Sequence, residues 1–113
     1  MPRVLLVEDQ LLVAQSIIQI LEVAGAIRVD WAPLATSARV HADEADYDIV
    51  VSDFALGFSQ PTGVDLISEL RARQPDATFV IVSSQARAVP DWASFVAKTD
   101  VDGLEAIITA WRR

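Results

Sequence analysis

Short apolar, β-branched runs punctuate the chain: Val4 to Val7, Ile27 to Ala32, Asp48 to Ser52, Thr78 to Ser83 and Ser94 to Ala97. Each is too short for a helix and rich in Val, Ile or Phe, so five strands are expected. Between them the apolar positions recur at helical spacing. Leu11, Ile17, Leu21 and Ala24 line one face of a first helix, and Gly25 stops it. A second helix is expected from Leu34 to Ala45. A third follows Gly63, with Val64, Leu66, Ile67 and Leu70 inward and Pro75 as its stop. The last spans Val101 to Trp111, and Thr99 with Asp102 fits a capping box at its start.

Strands alternating with helices give a parallel sheet with crossovers on both faces, and runs such as VLLV and FVIV suit strands covered on both sides. The fold class is therefore α/β, doubly wound, with five strands in one unit spanning residues 1–113. Ligands of such sheets bind at the carboxyl ends of the strands. Those ends carry Glu8 and Asp9, then Asp53, then Ser83 and Ser84, then Lys98 and Thr99, while the second strand ends in the bland Trp31-Ala32. In a strand order 2-1-3-4-5 the four polar ends fall side by side.

Three crowded carboxylates repel one another unless a cation joins them. A hard divalent ion, Mg²⁺ or Mn²⁺, suits oxygen donors: Asp9 and Asp53 directly, Glu8 through a water, and the backbone carbonyl of Ala55. Lys98 offers a mobile positive charge to a phosphoryl oxygen, and Ser83 offers a hydroxyl. A carboxylate nucleophile with a metal beside it and a lysine opposite is arranged for phosphoryl transfer to Asp53. The bland alternatives are that Asp9 merely caps the first helix and that Asp53 is a turn residue.

Composition narrows the class. Of 113 residues, 52% are apolar and 22% charged, enough for a packed core. The net charge of -7 and pI near 4.4 argue against direct contact with nucleic acid. Cysteine is absent, which suits a reducing compartment, and the cytoplasm is the expected location. Neither a charged leader nor a membrane span is expected, because Gln15, Ser16, Gln19 and Glu22 interrupt the longest apolar stretch.

In VLLVEDQ, IVVSDFALG, FVIVSS and SFVAK the chain resembles the response-regulator receiver domains of two-component signalling, over essentially its whole length. The resemblance implies a flavodoxin-like fold of order 2-1-3-4-5. It makes Glu8 and Asp9 the acidic pair, Asp53 the phosphoacceptor, Ser83 the switch hydroxyl, Phe95 the switch aromatic and Lys98 the active-site lysine. The donor would be a sensor histidine kinase or a phosphotransfer protein. The output would be an unidentified protein target, with a phosphorylation-dependent homodimer left open. Such a domain is a phosphoacceptor that catalyses only its own phosphorylation and dephosphorylation, not an enzyme on other substrates.

Three features depart from the family's pattern. Thr99 stands where proline usually follows the lysine, so a cis peptide is not expected there. The loop FALGFSQPTG after Asp53 is longer than usual. Only eleven residues, Ser84 to Ser94, separate Ser83 from Phe95, too few for a full crossover helix, so the fourth helix is expected to be short or missing. Rival classes are a degenerate receiver that only binds proteins, a flavodoxin-type cofactor binder and a haloacid-dehalogenase-type phosphatase. Glu8-Asp9 would repel a cofactor phosphate, and Ala55 replaces the second Asp of the phosphatase motif. His41, Trp31, Trp92 and Trp111 are read as packing or surface groups.

Overall fold

The computed structural model describes Met1 to Trp111. In chain order the elements are β1 (Arg3–Val7), α1 (Leu11–Ala24), β2 (Arg28–Ala32), α2 (Ala35–Glu44), β3 (Ile49–Asp53), α3 (Gly63–Leu70), β4 (Thr78–Ser83), β5 (Ala93–Ala97) and α4 (Val101–Trp111). All neighbouring strands pair in parallel, in the order β2-β1-β3-β4-β5. The five apolar runs are the five strands, and every residue of β3 is buried.

Alternation along each strand sends side chains to two cores. Leu5, Val7, Val50, Phe79 and Ile81 face α2 and α3, and Val4, Leu6, Ile49, Val51, Val80 and Val82 face α1 and α4. Both helix layers present small or branched residues: Ala35, Ala38 and Ala42 from α2, and Leu104, Ile107 and Ile108 from α4. α1 ends at Gly25 with φ of 123°, as its position in the sequence requires.

Among the described residues no helix separates β4 from β5, so the fourth crossover helix is missing and α4 is the last helix. An extended connection covers that part of the sheet instead. Trp92 meets Phe79 edge to face at 5.6 Å, the Arg71 guanidinium lies 4.4 Å from the Trp92 ring, and Val89 packs on the same core. Aromatic and cation–π contacts of this kind replace the apolar face a helix would have supplied.

One cap and one helix end differ from the sequence reading. Asp100, not the Thr99–Asp102 pair, caps α4: its Oδ1 accepts the Gly103 N–H at 2.9 Å. α3 ends at Leu70, well before Pro75, and the chain leaves it in tight turns where Arg73 and Gln74 both donate to the Leu70 carbonyl.

Those turns deliver Gln74 into the interior at 4% exposure. Its Oε1 accepts the Tyr47 N–H at 2.9 Å, and its Nε2 donates to the carbonyls of Ala42 and Ala45 at 2.8 and 2.7 Å. One side chain thus satisfies three backbone groups between α2 and β3. Gln74→Leu is expected to strand them and cost roughly 3 kcal/mol, lowering Tm by about 10 °C or more in thermal melts. A shift under about 2 °C would show that the backbone finds other partners.

Candidate functional site

Parallel strands put the ends of β1, β3, β4 and β5 in one row, and the polar residues that follow those strands converge there. Glu8 leaves β1 with no exposed surface. Its backbone is clamped from β2, because Glu8 N–H donates to Ala32 O at 3.1 Å and the Trp31 indole N–H donates to Glu8 O at 2.7 Å. Trp31 therefore positions the acidic pair; as part of an apolar run, it gave no sign of this in the sequence.

Asp53 closes β3 at 5% exposure. Lys98, just past β5, bridges the two buried acids: its Nζ lies 3.0 Å from Asp53 Oδ2 and 3.2 Å from Glu8 Oε2. It donates a hydrogen bond to Glu8 Oε1, leaving Oε2, although in ion-pair range, without a hydrogen-bond partner. Burial, then the hydrogen bond and charge of Asp53, push the Glu8 carboxyl from its ordinary 4.5 up to about 7, although Lys98 pulls the other way. For Lys98, burial disfavours the ammonium, but Asp53 and Glu8 outweigh it and the net shift is upward.

Asp9 is exposed at the rim, and its carboxylate comes within 4.8 Å of those of Glu8 and Asp53. It is not the cap of α1: Gln10 occupies that position without a side-chain cap, so the Asp9 carboxylate is uncommitted to the helix. Gly57 crosses above it with φ of 107°, close enough that a Cβ would touch Asp9 Oδ2 at 3.4 Å. Ser83 is buried and its Oγ accepts the Gln85 N–H at 3.2 Å. Asp9, Asp53, Ala55, Ser83 and Lys98 all line one cavity of about 390 Å³, and Arg87, absent from the sequence reading, lines it too.

Phe95 lies outside that cavity. It is half-buried on β5, pairs with Ile81, and packs on the α2–α3 core two positions before Ala97, the residue paired with Ser83. Among the described residues the His41 ring reaches only the Tyr47 hydroxyl, at 3.4 Å.

The sequence profile of the response regulator receiver domain matches residues 4–105. The chain belongs to the receiver domain family. Solved receiver domains agree with it in fold. A CheY-like receiver domain from Methylobacillus flagellatus is 26% identical over 98% of both chains, with a TM-score of 0.84. The response regulator TrrA from Thermotoga maritima, solved in complex with Mg²⁺-BeF, is 21% identical over 98% of this chain and 99% of that one, also with a TM-score of 0.84. A second TrrA structure, in complex with histidine kinase ThkA, is 21% identical over the full length of both chains, TM-score 0.83. No curated protein sequence matches the chain. Among the described residues no helix of this receiver is long and apolar enough to cross a membrane.

The raised Glu8 carboxyl gives a signed pH dependence. Between about pH 4.5 and 7 the folded chain holds a proton that the unfolded chain has released, so stability falls as pH rises through that window. In metal-free buffer, denaturation midpoints from about pH 5 to about pH 7.5 are expected to decline in wild type and to decline less in Glu8→Gln. Parallel profiles would assign the decline to another group.

Proposed function

We propose that this chain, residues 1–113, is a receiver that takes a phosphoryl group on Asp53 and thereby switches a protein-interaction surface. The observation that carries the reading is the pairing of Asp53 and Glu8 with one Lys98 ammonium at the floor of an open cavity, with Asp9 free at its rim. An Asp53 oxygen attacks phosphorus in line. The bond from phosphorus to the donor, a phosphohistidine nitrogen or an acyl oxygen, breaks, and the donor leaves with its electron pair. Lys98 then faces the transferred oxygens, and the Ser83 hydroxyl turns from Gln85 to meet another.

The donor set fits a divalent cation. Three carboxylates converge, and the buried Glu8 Oε2 has no hydrogen-bond partner, as suits a carboxylate reaching a metal through water. Asp9 and Asp53 would hold Mg²⁺ or Mn²⁺ directly, Glu8 through a water and Ala55 through its carbonyl. Such an ion supplies charge neutralisation at the attacking carboxylate and the phosphoryl oxygens.

The partner class is a sensor histidine kinase or a phosphotransfer protein, supported by the kinase complex of the related TrrA. The cytoplasm is the compartment this role implies. Phe95 and the β4–β5 connection would carry the change outward. The acidic pair, phosphoacceptor, hydroxyl and lysine are all in place, so no observation favours a domain that only binds proteins.

Incubated with acetyl phosphate and Mg²⁺, the chain is expected to gain one hydroxylamine-sensitive phosphoryl group by mass spectrometry, and Asp53→Ala none. Asp9→Asn should shrink the Mg²⁺-induced rise in Tm, because fewer carboxylates are relieved by the ion in the folded state. Undiminished labelling of Asp53→Ala would refute the assignment of the phosphoacceptor.

A further inference from the structure

The chain carries a net charge of -7, and most of its described basic side chains are spent on carboxylates: Arg3, Arg28, Arg39, Arg73 and Lys98 each pair with at least one. Among the described residues Arg71 and Arg87 have no carboxylate partner. Arg71 is committed to the Trp92 ring on the α3 side. Arg87 is placed differently. It lies on the connection that replaces the missing helix, four residues beyond Ser83, and lines the same cavity as Asp9, Asp53, Ser83 and Lys98.

Its guanidinium is held in place without being neutralised. It lies 4.2 Å from the centroid of the Phe54 ring, the residue directly after Asp53, and Nη2 donates to the Gln85 side chain at 3.4 Å. A planar guanidinium resting on an aromatic face keeps its charge and most of its donors free. The Gln85 backbone, in turn, is tied to Ser83 Oγ at 3.2 Å. Phe54 and Gln85 therefore hold the exposed Arg87 cation at the cavity wall, while the half-buried Lys98 pairs with the acids inside.

Resting on the reading of Asp53 as phosphoacceptor, we propose that Arg87 is a second cationic ligand of the phosphoryl group, binding its outer oxygens while Lys98 binds from within. A phosphoryl group on Asp53 brings about two negative charges into a cavity already lined by the Asp9 carboxylate, with the buried Glu8 close behind. Lys98 offers one ammonium, already shared between two acids. Arg87 offers a planar fork suited to two oxygens of a tetrahedral anion, from the solvent side by which an anionic donor arrives. During transfer the Asp53 oxygen–phosphorus bond forms as the donor's bond to phosphorus breaks. An acyl donor leaves as its carboxylate, so Arg87 stabilises charge and moves no proton.

The test uses the whole chain with Mg²⁺. Wild type, Arg87→Ala and Arg87→Lys are titrated with beryllofluoride, a phosphoryl analogue, and separately labelled by acetyl phosphate, with loss of the label followed by mass spectrometry. Arg87→Ala is expected to weaken beryllofluoride binding about tenfold and to slow labelling, with Arg87→Lys in between, as fits one charge-assisted contact. Circular dichroism melts of the three should coincide, because Arg87 is exposed. Equal beryllofluoride affinity in wild type and Arg87→Ala overturns the role of Arg87 and leaves Asp53 as phosphoacceptor. A wild type that takes neither beryllofluoride nor label overturns both.

Discussion

Two carboxylates buried side by side at the end of a parallel sheet must be neutralised, and in this protein the neutralising charge comes from a distant part of the chain. Glu8 and Asp53 sit at the ends of adjacent strands β1 and β3, with 0% and 5% exposure, while Lys98 comes from the end of β5 at the sheet's edge. Its ammonium must cross the width of β4 to reach 3.0 Å from Asp53 and 3.2 Å from Glu8. The charges are of little use separately. Without Lys98, the Glu8 carboxyl would lose the one charge that pulls it back down, and burial beside Asp53 would raise it further. Without the acids, the ammonium would be a half-buried cation with no partner. The position of β5 is thus an electrostatic requirement as well as a packing one.

That requirement is met without the helix that would ordinarily lead into β5. The strand keeps its register on β4, from Phe79 opposite Ala93 to Ser83 opposite Ala97, and Lys98 N–H continues the ladder to Ser83 O at 3.0 Å. Trp92 and Val89 cover the exposed core in place of a helix face. The outcome is an edge strand that is half-buried rather than buried, and a connection whose residues stand beside the cavity instead of being wound away from it.

The strands and the polar residues at their ends were legible in the sequence because both rest on local signals, whereas the order 2-1-3-4-5, which brings Glu8, Asp9, Asp53, Ser83 and Lys98 together, came with the resemblance to receiver domains. That the fourth helix would be short or missing was legible from chain length, since eleven residues leave little room for a full crossover; that it is missing only the structure shows. What could not be read depends on contacts between distant segments. The choice between Thr99 and Asp100 as cap turns on which oxygen the path out of β5 aims at the Gly103 N–H. Pro75 is a strong stop signal, yet α3 had already unwound so that Gln74 could satisfy Tyr47, Ala42 and Ala45. Trp31 reads as one more apolar residue of a strand; only the pairing of β2 with β1 brings its indole to the Glu8 carbonyl. Arg87 had no motif, and its place follows from the absent helix.

The two unusual lengths in this chain have opposite consequences for the site. The long loop after Asp53 is closed at its base: Gly63 N–H donates to Phe54 O at 2.7 Å, Ala55 bridges Thr62, and Thr62 caps α3 by accepting the Asp65 N–H. A Cβ at Gly63 would collide with the Asp53 carbonyl, so α3 is seated directly against the backbone of the phosphoacceptor candidate. Extra residues beyond such a closure add only a slowly growing entropy, and they are spent at the tip, where Phe58 is 97% exposed and Ser59 turns with φ of 63°. The short β4–β5 connection has no such closure away from the cavity. Gln85 bonds Ser83 Oγ, Arg87 bonds Gln85 and rests on Phe54, and Trp92 anchors the far end on Phe79. A turn about the Ser83 Cα–Cβ bond that swings Oγ away from the Gln85 N–H would break the first of these links, and among the described residues no helix stands between Ser83 and the rest of the connection.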